Sequence, residues 1–196
     1  MAKKQMKKPV ALVDLDGTLA DFQGAMRRDL ASIAAPGEEP GDWDEKARPD
    51  YQNARWDMIK RQPDWWFNLK PLPSGFFVLN ALTSIGYRPH VLTRAPKKLP
   101  SAWDQKVRWC MQHLPGVDVT ITPNKGMVHG KVLVDDWPEY IEPWLAHRPR
   151  GLVIMPAQDW NADFAHPQII RHVHGVNDQE VMDALWVHYA KLQEAK

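Results

Sequence analysis

The chain has 196 residues, enough for one domain of ordinary size with a smaller inserted lobe. Its 25 basic and 24 acidic side chains leave a formal net charge of +1, which argues against a broad basic face for duplex nucleic acid and against a polybasic membrane patch. One cysteine, Cys110, excludes an internal disulfide and fits a reducing, cytoplasmic setting.

The first segment, "MAKKQMKKP", is basic like the start of a signal peptide. The apolar run behind it is broken by Asp14 too early for a signal core. No stretch approaches the roughly 20 apolar residues that span a bilayer. The first predicted strand is Val10–Leu15, in "VALVDLDGTLADF". Helical patterns follow at 21–33 and 51–61, either side of "APGEEPGDWDEKARPD", which reads as a loop over 35–50. We expect residues 22–72 to form a small helical lobe inserted after the first strand, with 1–21 and 73–196 as the core. The core then alternates. Helical stretches at 76–85, 101–113, 139–146 and 178–192 separate short apolar runs at 89–92, 117–121, 132–134 and 152–155. Apolar runs without alternation suit strands covered on both faces, so the pattern predicts an α/β fold: a Rossmann-like parallel sheet with right-handed crossovers. Ten tryptophans are many for this length, and core or lobe packing accounts for them.

In such a sheet the polar residues just past the strands converge on one site. Asp14 and Asp16 follow the first strand and Thr93 the second. Lys125 follows the third, and the pair Asp135–Asp136 the fourth. Each alone has a bland reading as a turn, a cap or a solvated loop. Together, in this order, they describe chemistry. Facing carboxylates repel unless a hard divalent cation lies between them, and oxygen ligands suit Mg²⁺. Mg²⁺ also draws a phosphate oxygen. Asp14 can then attack phosphorus, and Asp16 can protonate the leaving oxygen and later activate water. Thr93 and Lys125 can hold the phosphate.

This set resembles the haloacid dehalogenase-like (HAD) phosphatase superfamily, whose four motifs match "DLDGT", Thr93, Lys125 and Asp135–Asp136 in order. The resemblance implies a HAD-like core, Asp14 as nucleophile and Asp16 as acid and base. It implies Mg²⁺ held by Asp14, the Asp16 carbonyl and Asp136, with Asp135 alongside. A narrower resemblance is to the 5′(3′)-deoxyribonucleotidases of cytosolic and mitochondrial type. "DLDGTLADF" is similar to that family's DMDGVLADF, and "PDWWFNLKPLPSG" to its PGFF-x-x-LEPIPG. "RWCMQHLPG" is similar to RWVEQHLG, and "NKGMVHGKVLVDD" to DKTVVLGDLLIDD. The family encloses the nucleobase in lobe aromatics, which implies base contacts for Phe22 and, by position, for Trp65 and Trp66. Base stacking on such rings contributes about 1–3 kcal/mol per base.

Two positions depart from the family. Arg94 stands where Ser usually follows the motif-two Thr, and Pro123 stands where Arg usually precedes the motif-three Lys. Arg94 is therefore a candidate phosphate contact replacing the lost cation. A solvated loop arginine is the other reading.

The resulting expectation is a Mg²⁺-dependent phosphatase of (deoxy)nucleoside monophosphates, taking a small-molecule nucleotide as its partner and no membrane. Phosphatases of nucleic-acid ends or of other small phosphorylated metabolites are alternatives. A non-catalytic nucleotide-binding protein is another. Charge balance disfavours the nucleic-acid reading. Four weaker signals remain. His172 and His174 would share a face of a strand and could build a metal site, though no partner ligand is evident. Lys97 and Lys98 read as a solvated loop, and Cys110 as packed. Val181, Ala184, Leu185 and His188 share one face of the last helix, which covers the core and leaves a homodimer open.

Overall fold

The computed structural model describes residues 8–38, 43 and 45–194. The basic start of the chain and part of the loop expected over 35–50 lie outside them.

Six parallel strands form one sheet in the order β3-β2-β1-β4-β5-β6. They are β1 (Val10–Val13), β2 (Arg88–Thr93), β3 (Asp118–Ile121), β4 (Val132–Val134), β5 (Leu152–Pro156) and β6 (Ile169–His172). The helices are α1 (Phe22–Ala31), α2 (Asp50–Lys60), α3 (Pro73–Ile85), α4 (Pro100–His113), α5 (Pro138–Ala146) and α6 (Asp178–Glu194). β1 is central. The chain steps outward through β2 and β3, then returns to β1's other edge and steps out through β4, β5 and β6. That reversal opens a crevice at the carboxyl ends of β1 and β4.

β1, β4 and β5 are apolar throughout, as is the buried Val91–Leu92 of β2, because both faces are covered. Val13, Val91, Val134 and Ile154 pack with residues of α3, α4 and α6. Leu12, Leu92, Leu133 and Val153 pack instead with Ile141, Trp144 and Leu145 of α5. β6 is the strand the sequence pattern does not predict. As an edge strand it is half-exposed over Ile169–Arg171, so it carries no continuous apolar run.

α3 begins with Pro73, whose missing N–H costs nothing in the first turn, and ends at Gly86 in the left-handed region (φ 113°). Within α3, a Cβ on Gly75 would lie 1.9 Å from the Thr18 carbonyl oxygen, so only glycine lets this helix meet the loop after β1. The segment between β1 and α3 is fastened at both ends. Asp21 N–H donates to Lys70 O and Leu72 N–H to Leu19 O, each at 2.8 Å. α1 and α2 lie within this segment. Met26, Leu30, Trp56 and Ile59 extend the same apolar cluster that covers the sheet. Among the described residues no helix is long and apolar enough to cross a membrane.

Candidate active site

β1 stops at Val13, short of the predicted Leu15, because the chain turns. Asp14 N–H still donates to Val134 O (2.8 Å), but the Leu15 carbonyl accepts from Leu19 and Ala20. Gly17 closes this turn with φ +75°, and a Cβ there would sit 2.7 Å from Asp136 Oδ2. Glycine thus gives the turn its handedness and lets the β1 loop approach the loop after β4.

Asp14, Asp135 and Asp136 are buried, and each offers a carboxylate oxygen within 4.8 Å of the others. Lys125, brought in by the one-turn 3-10 helix at Lys125–Met127, donates to Asp14 Oδ1 (2.6 Å) and Asp135 Oδ2 (2.7 Å). Burial alone would lower the Lys125 ammonium, but Asp135 and Asp14 more than offset it and its pKa is raised. Burial also raises Asp135, and Lys125 and the Trp137 N–H (3.1 Å to Oδ1) oppose the rise. Asp136 is raised well above the ordinary carboxylate range by burial and by Asp14 and Asp135. Its backbone carbonyl accepts from Asn161 Nδ2 (2.9 Å) and Trp160 Nε1 (3.3 Å). Three clustered carboxylates therefore face one ammonium. Such an all-oxygen donor set, short of positive charge, suits a hard divalent cation.

Asp16 stands apart from that trio. Lys106 of α4, buried, donates to Asp16 Oδ2, to the Arg94 carbonyl and to Thr93 Oγ1 (3.3 Å). Asp16 Oδ1 is buried and has no hydrogen-bond partner. Burial raises the Asp16 carboxyl, Lys106 lowers it and Asp14 raises it further, with a net upward shift. Thr93 is fully buried at the end of β2, and its hydroxyl donates to Arg94 O (3.2 Å). The exposed Arg94 donates to the Tyr140 hydroxyl (2.7 Å), and the Tyr140 ring lies 4.6 Å from Lys125 Nζ.

The structure thus brings Asp14, Asp16, Thr93, Lys125, Asp135 and Asp136 to one crevice, with Arg94 at its rim. The lobe aromatics cluster on one another. Phe22 is half-buried, with Trp65 edge-on at 5.4 Å and Trp66 stacked at 5.4 Å. Trp65 and Trp66 are buried, and Trp65 Nε1 donates to Asp29 (2.7 Å). Trp66 borders the site through Lys106, whose Nζ is 4.6 Å from its ring. Pro123 has no side-chain donor, and Lys97 and Lys98 are exposed. Burial pushes the Cys110 thiol up to about 12, as for a packed residue.

Sequence reasoning passed over Lys106, Tyr140 and Asn161. Lys106 had a signal: it falls on the stripe of Ala102, Trp109 and Cys110 that α4 buries, where a charged residue needs a partner. Tyr140 and Asn161 had none, being ordinary loop and helix residues until the fold places them.

A family profile, 5′ nucleotidase, deoxy (pyrimidine), cytosolic type C, matches residues 8–188. Solved structures show the same fold at low identity. A candidate haloacid dehalogenase-like hydrolase of Burkholderia xenovorans LB400 is 15% identical with a TM-score of 0.58, covering 93% of this chain and 99% of its own. A second, of Bacteroides fragilis, is 14% identical at 0.52, covering 86% and 99%. A candidate β-phosphoglucomutase of Thermotoga maritima is 15% identical at 0.51, covering 90% and 98%.

Proposed function

The chain belongs to the 5′ nucleotidase, deoxy (pyrimidine), cytosolic type C family, a family of phosphatases, and on that premise we propose that it is Mg²⁺-dependent and hydrolyses (deoxy)nucleoside monophosphates through an aspartyl-phosphate on Asp14. The observation that carries this reading is the division of the acids. Asp14 is held by Lys125 beside Asp135 and Asp136, while Asp16 is held separately by Lys106. One carboxylate is arranged to meet phosphorus and the other to handle protons.

Asp14, Asp136 and the Asp16 carbonyl would hold the Mg²⁺, with Asp135 alongside. When bound, the ion neutralises charge on the acids and the phosphate. Lys125 fixes the Asp14 carboxylate and adds a positive charge beside it. The other Asp14 oxygen attacks phosphorus, and the phosphorus–oxygen bond to the nucleoside breaks. Asp16 gives its proton to the departing oxygen. Oδ1 is the atom free to do so, since Oδ2 belongs to Lys106. Asp16 then takes a proton from water, which attacks the aspartyl-phosphate and releases phosphate. Thr93 and the rim cation Arg94 hold phosphate oxygens.

In this reading residues 1–21 and 73–196 are the core and 22–72 the cap, with Phe22, less buried than Trp65 and Trp66, facing the base. Trp65 and Trp66 back it. The setting is cytoplasmic, and a homodimer remains open.

The test is phosphate release with Mg²⁺ from mononucleotides, phosphorylated sugars and end-phosphorylated oligonucleotides. We expect release from mononucleotides, and loss of at least about a thousand-fold in Asp14→Asn with an unchanged fold. Turnover preserved in that variant, or release only from oligonucleotides or sugars, overturns the proposal.

A further inference from the structure

A second cluster of ligating side chains lies at the end of β6, two strands from β4. His172 ends the strand, His174 follows in the connection, and Asp178 opens α6. His172 Nε2 lies 2.7 Å from Asp178 Oδ1, and His174 Nδ1 lies 3.2 Å from the same carboxylate. One ligand atom from each of the three falls within 4.8 Å of the others. The sequence showed the two histidines. The fold adds the third ligand.

We propose that His172, His174 and Asp178 form a second cation site, which takes a transition metal of the Zn²⁺ class. Three observations carry this. The donor set, two imidazoles and one carboxylate, is one that Zn²⁺ prefers and that Mg²⁺ does not. The spacing is near to fitting. Tetrahedral ligands at Zn²⁺ bond lengths stand about 3.3 Å apart. The two separations to the carboxylate, 2.7 and 3.2 Å, need less than an ångström of opening, and the two ring nitrogens lie within 4.8 Å of each other. The third observation is the state of His172. Its side chain is 1% exposed, yet Nδ1 is buried with no hydrogen-bond partner. In the metal-free chain the Asp178 carboxylate, 2.7 Å from Nε2, holds the proton on Nε2. An ion that binds Nε2 displaces that proton, and the idle Nδ1 is where the ring can carry one while the Nε2 lone pair meets the ion.

The surroundings hold the cluster in place. Phe77 of α3 lies against both rings, at 5.7 Å from His172 and 5.5 Å from His174. Asn177 ties the connection, accepting from Val173 N–H (2.8 Å) and donating to Arg171 O (2.9 Å). His174 and Asp178 keep 40% and 27% of their side chains exposed, so an ion can enter from solvent and keep a water as fourth ligand. An ion there would join the edge strand to α6. The idle Nδ1 also means that His172 lacks the outer partner that usually strengthens a histidine ligand, a deficit of about 10–100-fold in affinity. The ion should therefore leave to a chelator without unfolding the chain.

The test is Zn²⁺ itself, competed against a chromophoric chelator on the metal-stripped full-length chain. We expect His174→Ala and Asp178→Asn each to bind one equivalent fewer than the unmodified protein. Asp136→Asn should keep that equivalent. His174 is partly exposed, so its variant should fold, and its phosphate release with Mg²⁺ should be unchanged. Ring proton spectra give a second readout: Zn²⁺ should shift the resonances of His172 and His174 and leave the other six of eight histidines unmoved. Equal uptake by His174→Ala and the unmodified chain, or no shift of these two rings at saturation, overturns the proposal.

Discussion

Lys106 decides how Asp16 can work. Its ammonium, inside α4, fixes one Asp16 oxygen and leaves the other buried and unpartnered. Without it the carboxyl could turn, and in the proposed mechanism its proton would no longer be aimed at the leaving oxygen. General acid catalysis is worth about 10²–10⁴-fold. Lys106→Met should therefore lower kcat/KM for nucleoside monophosphates by about 100-fold. An aryl phosphate leaves without a proton, so its kcat/KM should fall far less. Equal losses on the two substrates would show that Lys106 acts on phosphate binding instead. The case also marks where the sequence is legible. Asp14, Thr93 and the Asp135–Asp136 pair follow directly on apolar strands, so parallel-sheet physics alone sends them to one edge. Lys106 reaches the same spot from the middle of a helix: its place on the buried stripe of α4 signals that it needs a partner, but no local pattern says which one.

Among the elements, the loops after β4 and β5 are joined chiefly by one side chain, with Trp160 Nε1 as a longer second contact. Asn161, fully buried in a one-turn 3-10 helix, donates to Pro156 O and Asp136 O, both at 2.9 Å. Asn161→Ala removes the amide donor from the Pro156 carbonyl and leaves the Asp136 carbonyl with the longer Trp160 Nε1 contact alone; an unsatisfied buried carbonyl costs about 1–3 kcal/mol unless water replaces the amide. We expect thermal stability to fall by about 2 kcal/mol in total. The Mg²⁺ concentration needed for half-maximal phosphate release should rise, because the Asp136 loop loses its anchor. A fall in melting temperature with an unmoved Mg²⁺ requirement would separate packing from ligand positioning. The same scale explains the missed strand. The core strands read plainly because the sheet covers both their faces. β6 faces solvent on one edge and carries Arg171 and His172 in "IIRHVHG", so its residues look like a loop until β5 pairs with it through Val153–Ile169 to Pro156–His172.

For the molecule as a whole, two sets of groups link stability to solution conditions. His90 and His188 are lowered chiefly by desolvation, although Asp118 and the Arg150 carbonyl respectively oppose the shift. A histidine lowered in the folded state binds fewer protons there than when unfolded, so stability falls as pH drops below the ordinary value of 6.5. The loss stops growing below the folded-state pKa. The raised carboxyls of Asp16, Asp135 and Asp136 act in the opposite direction, so the histidine contribution is read as a difference: from pH 8 to pH 5, His188→Gln should lose less melting temperature than the unmodified chain. The second set is the acid trio. Folding brings Asp14, Asp135 and Asp136 together with Lys125 as the ammonium that touches two of them, whereas the unfolded chain lets them separate. On the proposed reading the crevice strains the metal-free protein and would favour Mg²⁺ binding to the folded form alone. At 100 times its Kd, a ligand of the folded state adds about 2.7 kcal/mol, or roughly 5–10 °C in a chain of this size. Asp136→Asn removes one of the three repelling charges at nearly constant volume. It should raise the melting temperature without Mg²⁺, shrink the rise that Mg²⁺ produces to less than half and abolish phosphate release. On that reading stability and function are opposed at this residue, because the repulsion that weakens the metal-free fold is what would draw the ion. A variant that melted lower without Mg²⁺ and still gained the full increment with it would mean that the trio is neither strained nor the seat of the ion.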